Sequence, residues 1–202
     1  MNNEAEHIQE SIKIWDPIIR IFHWLLVSCF MIAYITEEDF IFIHTYSGYI
    51  ILFLLSIRIF WGLLGSKHAR FSDFLYSPKE IIKFLKDTLQ LKAPRYLGHN
   101  PAGGAMVFIL LISLVICTMS GLMVYGIEDN SGPLASWLSG FSYDHHFWGE
   151  VVEEVHEFFA NFILFLVIIH IAGVIVESRI HQENLVKAMI TGNKVSNVEG
   201  RK

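Results

Sequence analysis

The stretch VEEVHEFFANFILFLVIIHIAG, residues 152–173, places His156 and His170 in an apolar run with almost nothing polar between them. An ionisable ring inside a membrane span is costly, which makes it a functional candidate by default. One such ring alone says little, because a hydrogen bond to a neighbouring helix accounts for it equally well. The spacing of the two says more. From 156 to 170 is 14 residues, a rise of about 21 Å at roughly 1.5 Å per residue. It is also two heptads, so both rings return to nearly the same face of one helix at two depths.

The rest of the chain supports a membrane setting. It has 202 residues, 53% of them hydrophobic and only 17% charged, which is far from the profile of a soluble domain. No Pro-rich or Ser/Gly-rich linker divides it and no solenoid repeat appears, so a single domain, 1–202, is expected. Cys29 and Cys117 lie in apolar segments, where they read as small core residues rather than as a disulfide or metal site. The start, MNNEAEHIQE, is acidic and lacks the basic region of a secretory signal, so the first apolar run is expected to stay as a span.

Four runs are long enough to cross a bilayer as helices, at about 18–36, 44–64, 101–125 and 150–177. In lipid each backbone amide has to be satisfied within its own segment, so the expected fold is an all-α, integral membrane four-helix bundle. Its direction follows from charge. The segment between spans two and three carries Lys67, Arg70, Lys79, Lys83, Lys86, Lys92 and Arg95, and the C-terminal tail adds Arg179, Lys187, Lys194, Arg201 and Lys202. Residues 37–40 and 127–150 contain no Lys or Arg. The positive-inside bias therefore puts both termini in the cytoplasm and both acidic loops outside. Within the basic segment, SPKEIIKFLKDTLQLK opens with Ser77, Pro78 and Glu80, a capping box, and predicts an amphipathic helix at about 78–90. That helix either lies in the inner headgroup layer or is a plain connector. The outer GPLASWLSGFSYDHHFW has the composition of an interfacial aromatic belt.

With this direction the histidines sort by depth. His23 is near the inner end of span one and His170 lies deep in span four, while His44 opens span two at the outer side, level with His156. Zinc normally takes three or four ligands, and no thiolate or carboxylate accompanies the inner pair. Haem iron needs two axial imidazoles, and its flat apolar ring suits a gap between helices. Two bis-histidine b haems are thus expected, His44 with His156 outside and His23 with His170 inside. Gly48 and Gly173 leave room either for a macrocycle or for ordinary helix packing. Arg20 and Arg58 are candidates for inner propionates, with interfacial snorkelling the other account. Span three, without histidine, reads as a packing helix with Gly103, Gly104 and Gly121 at close approaches. Of the other histidines, His7, His68 and His181 look like surface or tail residues, and His145 and His146 like an exposed pair. His99 either relays a proton or helps Asn100 cap span three.

These pieces, WDPIIRIFHW, HTYSGYIILFLLSIRIFWGLLGSKHARFSDF, RYLGHNPAGGAM and VHEFFANFILFLVIIHIAGVIVESRIHQENLVKAMITG, resemble the bacterial cytochrome b561 and nickel–iron hydrogenase cytochrome b superfamily over nearly the whole chain. The resemblance implies a four-helix di-haem cytochrome of the bacterial inner membrane, ligated at His23, His44, His156 and His170. It would exchange electrons between the quinone pool and a redox partner, as an electron-transfer protein or as a subunit of a quinone-linked oxidoreductase. A periplasmic c-type cytochrome is the first partner expected, since Glu37, Glu38, Asp39, Glu128, Asp129, Asp144 and Glu150 would steer a basic docking face. The alternatives are a superoxide:quinone oxidoreductase, disfavoured by outer loops without cations, and the cytochrome b anchor of a hydrogenase. Lipid and quinone are the expected non-protein partners, and no nucleic acid is expected.

Overall fold

In a computed structural model of the chain, residues 11–37, 39–138 and 145–195 are described, without the side chains of residues 145 and 146. The order is β1 (Ser11–Lys13), α1 (Pro17–Ile35), α2 (Ile41–Leu64), α3 (Pro78–Leu89), α4 (Pro101–Ile127), α5 (Ala135–Leu138), α6 (His145–Ile180), α7 (Leu185–Thr191) and β2 (Asn193–Val195). Four of these helices, α1, α2, α4 and α6, are long and apolar enough to cross a membrane.

Local chemistry starts each helix where the sequence indicates. Asp16 caps α1 by accepting from the Ile19 amide at 2.9 Å, with Pro17 at the first helical position. Asn100 does the same for α4, taking the Gly103 amide at 2.7 Å ahead of Pro101. Ser77 and Glu80 form the predicted capping box of α3. Of the spans, α6 departs most from expectation: it runs for 36 residues and passes the expected 150–177 at both ends. At roughly 1.5 Å per residue that is about 54 Å, more than the ~30 Å hydrocarbon layer, so it projects beyond the apolar zone.

The long helices pack in a ring, α1 on α2, α2 on α4 and α4 on α6. Tyr34 of α1 donates to Asn161 of α6 at 2.7 Å and closes it. At the centre Cys29, Phe30, Ala33, Ile51, Leu55, Leu114, Cys117 and Ile163 form one buried cluster drawn from all four helices. Ile21, Phe53, Phe60, Ile112, Phe165 and Ile168 point outward and are exposed, as a lipid-facing surface requires. β1 and β2 pair antiparallel, Ile12 opposite Lys194, which brings the two ends of the described chain to one side of the bundle.

Candidate functional site

The two histidines expected as the outer pair come together. His44 of α2 and His156 of α6 face each other with ring centroids 5.9 Å apart and planes at 78°. Each ring leans on a helix carbonyl: His44 Nδ1 is 2.9 Å from the Ala33 oxygen, and His156 Nδ1 is 2.8 Å from the Cys117 oxygen. A carbonyl only accepts, so in both rings Nδ1 carries the proton and Nε2 keeps a free lone pair. Two metal-ready nitrogens, each fixed in tautomer by a backbone acceptor, are what ligation asks of a histidine. At a metal–nitrogen distance of about 2 Å on either side, ring centroids stand roughly 6 Å apart, and the observed spacing agrees.

Around the pair lies a cleft with about 720 Å³ of empty space, its open side included, lined by Phe30, Tyr34, Gly48, Tyr49, Leu122 and Tyr125 among others. Its walls are mostly apolar, as a porphyrin site requires. Gly48 borders this cleft, and a Cβ built there would meet no described atom within 4 Å. Packing among the described residues therefore does not account for this glycine. Gly121 differs: a Cβ on it would come within 2.8 Å of His156 Cε1, so its bare backbone makes room for the imidazole. Gly104 approaches the Phe74 carbonyl in the inner loop rather than another span.

The pair expected at the inner depth is carried by α1, with His23, and by α6, with His170. The His23 ring packs edge-on against Trp24 at 5.0 Å, and its buried Nδ1 has no hydrogen-bond partner among the described residues. Gly173 likewise borders open space. Arg58 is only 4% exposed, donates to the Ala69 carbonyl at 3.0 Å and stacks over Phe71 at 4.7 Å, so it holds the inner loop to α2. Arg20 donates to the Ile190 carbonyl and keeps a buried Nε without a hydrogen-bond partner among the described residues.

The end of the bundle expected to face inward is a network of loops. Glu177, two turns beyond His170 on α6, accepts from Asn100 at 3.1 Å and Thr88 at 3.3 Å and lies 3.4 Å from His181. Arg95 pairs with Glu183, and Lys194, 3.9 Å from Glu183, donates to the Tyr96 carbonyl at 3.2 Å. Burial holds the Lys194 ammonium below the usual lysine range, against the pull of Glu183. His99 packs between Trp15 at 4.7 Å and Phe74 at 4.4 Å, with its buried Nδ1 lacking a hydrogen-bond partner among the described residues. His68 bonds Asp73 at 2.8 Å. His7, Glu38, Asp144 and the side chains of His145 and His146 fall outside the described residues. The sequence did not point to the Ala33 and Cys117 carbonyls, which carry no residue-type signal, nor to Asp16, whose carboxylate also accepts from Trp61 at 3.1 Å and from Ser66.

Residues 14–192 match the family model of prokaryotic cytochrome b561. The chain belongs to that family. It is accordingly a multi-pass b-type cytochrome, a haem-bearing electron-transfer protein of the membrane. Its curated relatives include the probable Ni/Fe-hydrogenase B-type cytochrome subunit of Cupriavidus necator, 26% identical over 89% of this chain and 85% of the relative. The subunit of the same name from Rhizobium leguminosarum bv. viciae is 22% identical over 93% and 90%. The probable Ni/Fe-hydrogenase 1 B-type cytochrome subunit of Escherichia coli K12 is 22% identical over 92% and 94%. No solved structure matches significantly.

Proposed function

We propose that this cytochrome b561 is the di-haem cytochrome b subunit of a membrane-bound redox enzyme of the nickel–iron hydrogenase type, linking that enzyme to the quinone pool. His44 and His156 would hold the outer haem, and His23 and His170 the inner one. The observation that carries this is the outer pair: two imidazoles on different helices, 5.9 Å apart, each with Nδ1 on a carbonyl and Nε2 free. Haem b supplies one-electron oxidation and reduction at its iron. The protein's part is to fix ligand tautomer and spacing, to wall the cleft with apolar side chains, and to set two sites at two depths of α6. Arg20, with its spare Nε, is a candidate for a carboxylate at the inner site. We place the chain in the bacterial inner membrane as one functional unit, with both termini cytoplasmic, on the strength of its basic inner segments.

The full-length likeness to hydrogenase cytochrome subunits moves this reading ahead of the periplasmic c-type cytochrome that the charge pattern first suggested. Acidic Glu37, Asp39, Glu128 and Asp129 on the outer side favour a basic docking face and keep that partner as the second reading. Purification of the tagged chain from its native membrane decides between them. A nickel–iron or iron–sulfur subunit in the eluate is the expected result. A c-type cytochrome alone, released by added salt, would replace it with the second reading.

A further inference from the structure

The span without a histidine is more than packing. His156 Nδ1 meets three groups of α4: the Cys117 carbonyl at 2.8 Å, Ser120 Oγ at 3.5 Å and Cys117 Sγ at 3.7 Å. The buried Ser120 hydroxyl itself donates into that same Cys117 carbonyl at 3.0 Å. One oxygen, already part of the α4 ladder, thus serves both an imidazole and a hydroxyl. The acceptor of His44 has weaker competitors, the nearest described one being the Thr36 amide at 3.3 Å from the Ala33 oxygen. The hydroxyl nearest its acceptor belongs to Thr36, which bonds Ile32 at 2.7 Å and lies 3.5 Å from the Ala33 oxygen.

We propose that Ser120 is a positioning residue that tunes the outer haem through His156, by drawing off part of the Cys117 carbonyl on which that imidazole leans, while Gly121 leaves the space the ring occupies. The inference rests on the outer bis-histidine site of the proposed function. A hydrogen bond from Nδ1 makes the imidazole a stronger donor to iron and favours the oxidised metal. A second donor on the same carbonyl weakens that bond, which makes the ligand a poorer donor and raises the midpoint potential. Ser120 Oγ also offers Nδ1 a weak acceptor, but 3.5 Å is at the limit of hydrogen bonding whereas 3.0 Å is well within it. The competing effect therefore dominates.

Potentiometric titration of the purified haem-loaded chain tests this in wild type, Ser120→Ala, Ser120→Thr and Thr36→Val. Ser120→Ala should lower one of the two midpoints, leave the other where it was, and keep both irons six-coordinate. Ser120→Thr, which keeps the hydroxyl, should restore the wild-type value, and Thr36→Val should do much less than Ser120→Ala. In Gly121→Ala the added methyl displaces the ring, and the outer haem should be held on the order of ten- to a hundredfold more weakly. An unchanged or raised midpoint in Ser120→Ala, a common shift of both haems, or a Thr variant that behaves like Ala would overturn the proposal. A wild-type chain without haem would instead sink the cofactor assignment beneath it, and pigment content shows that before any titration.

Discussion

The outer and inner halves of the bundle hold their histidines by different means. Outside, both rings are clamped by helix backbone, Ala33 for His44 and Cys117 for His156, and a glycine clears the space beside each wall. Inside, His23 keeps a buried Nδ1 without a described partner, and the surroundings are made by loops and chain ends: Arg58 on Ala69, Glu177 on Asn100 and Thr88, β1 on β2. A clamp built from helix carbonyls is as rigid as the helix that carries it, so the outer ligands are preorganised. Loop-built surroundings answer to side-chain charge, burial and pH. The outer site is therefore expected to fail through its ligands, and the inner end through its scaffold.

Removing a ligand gives the largest effect. His156→Ala or His44→Ala should halve the haem content of the purified chain and abolish one spectral component, leaving the inner one intact. Equal loss of both would show that the two halves are not independent. Next comes the scaffold. Arg58→Leu leaves the buried Ala69 carbonyl without its charged donor, at a cost of about 1.5–3 kcal/mol. Thermal unfolding in detergent should register it, and hydrogen exchange in the loop of residues 65–74 should rise more than at the outer end.

His99 gives the inner end a pH dependence. Burial, with the positive charges of Arg58 and Lys194 nearby, pushes this imidazole from an ordinary 6.5 down to about 3. An unfolded chain then takes up a proton below about 6.5 that the folded one refuses, so stability falls as pH drops from there toward about 3. His99→Phe keeps a ring between Trp15 and Phe74 and should flatten the slope. The smallest effect belongs to the periphery. Ser77→Ala removes the α3 capping box and should speed amide exchange in the first turn of that helix, with both haem spectra unchanged.

Much of this contrast is readable in the sequence, but unevenly. Apolar length gives the four spans, Ser77 to Glu80 gives the start of α3, and the 14-residue step from His156 to His170 gives two depths, because these signals reside in side chains. The clamps could not be read, since every residue has a carbonyl and only the packing of α1 on α2 and of α4 on α6 selects Ala33 and Cys117. Ser120 carries no signal of its own in an apolar helix, where a small hydroxyl usually bonds its own backbone. An arginine in a span needs an anion or a polar partner, hence the expectation of a propionate for Arg58. The fold supplies the Ala69 carbonyl and the Phe71 face. The extension of α6 ahead of residue 150 gives no apolar signal, because its first turns are mixed polar and aromatic and an apolar window stops short of them. The pairing of β1 with β2 spans only three residues on each strand, too few for any pattern to show.

Haem stoichiometry tests the central claim most directly. The purified chain, assayed for protoporphyrin iron against protein by amino-acid analysis, should carry two b haems per chain, both low-spin and six-coordinate. A ratio of one, or none, would contradict the assignment of His44 with His156 and His23 with His170.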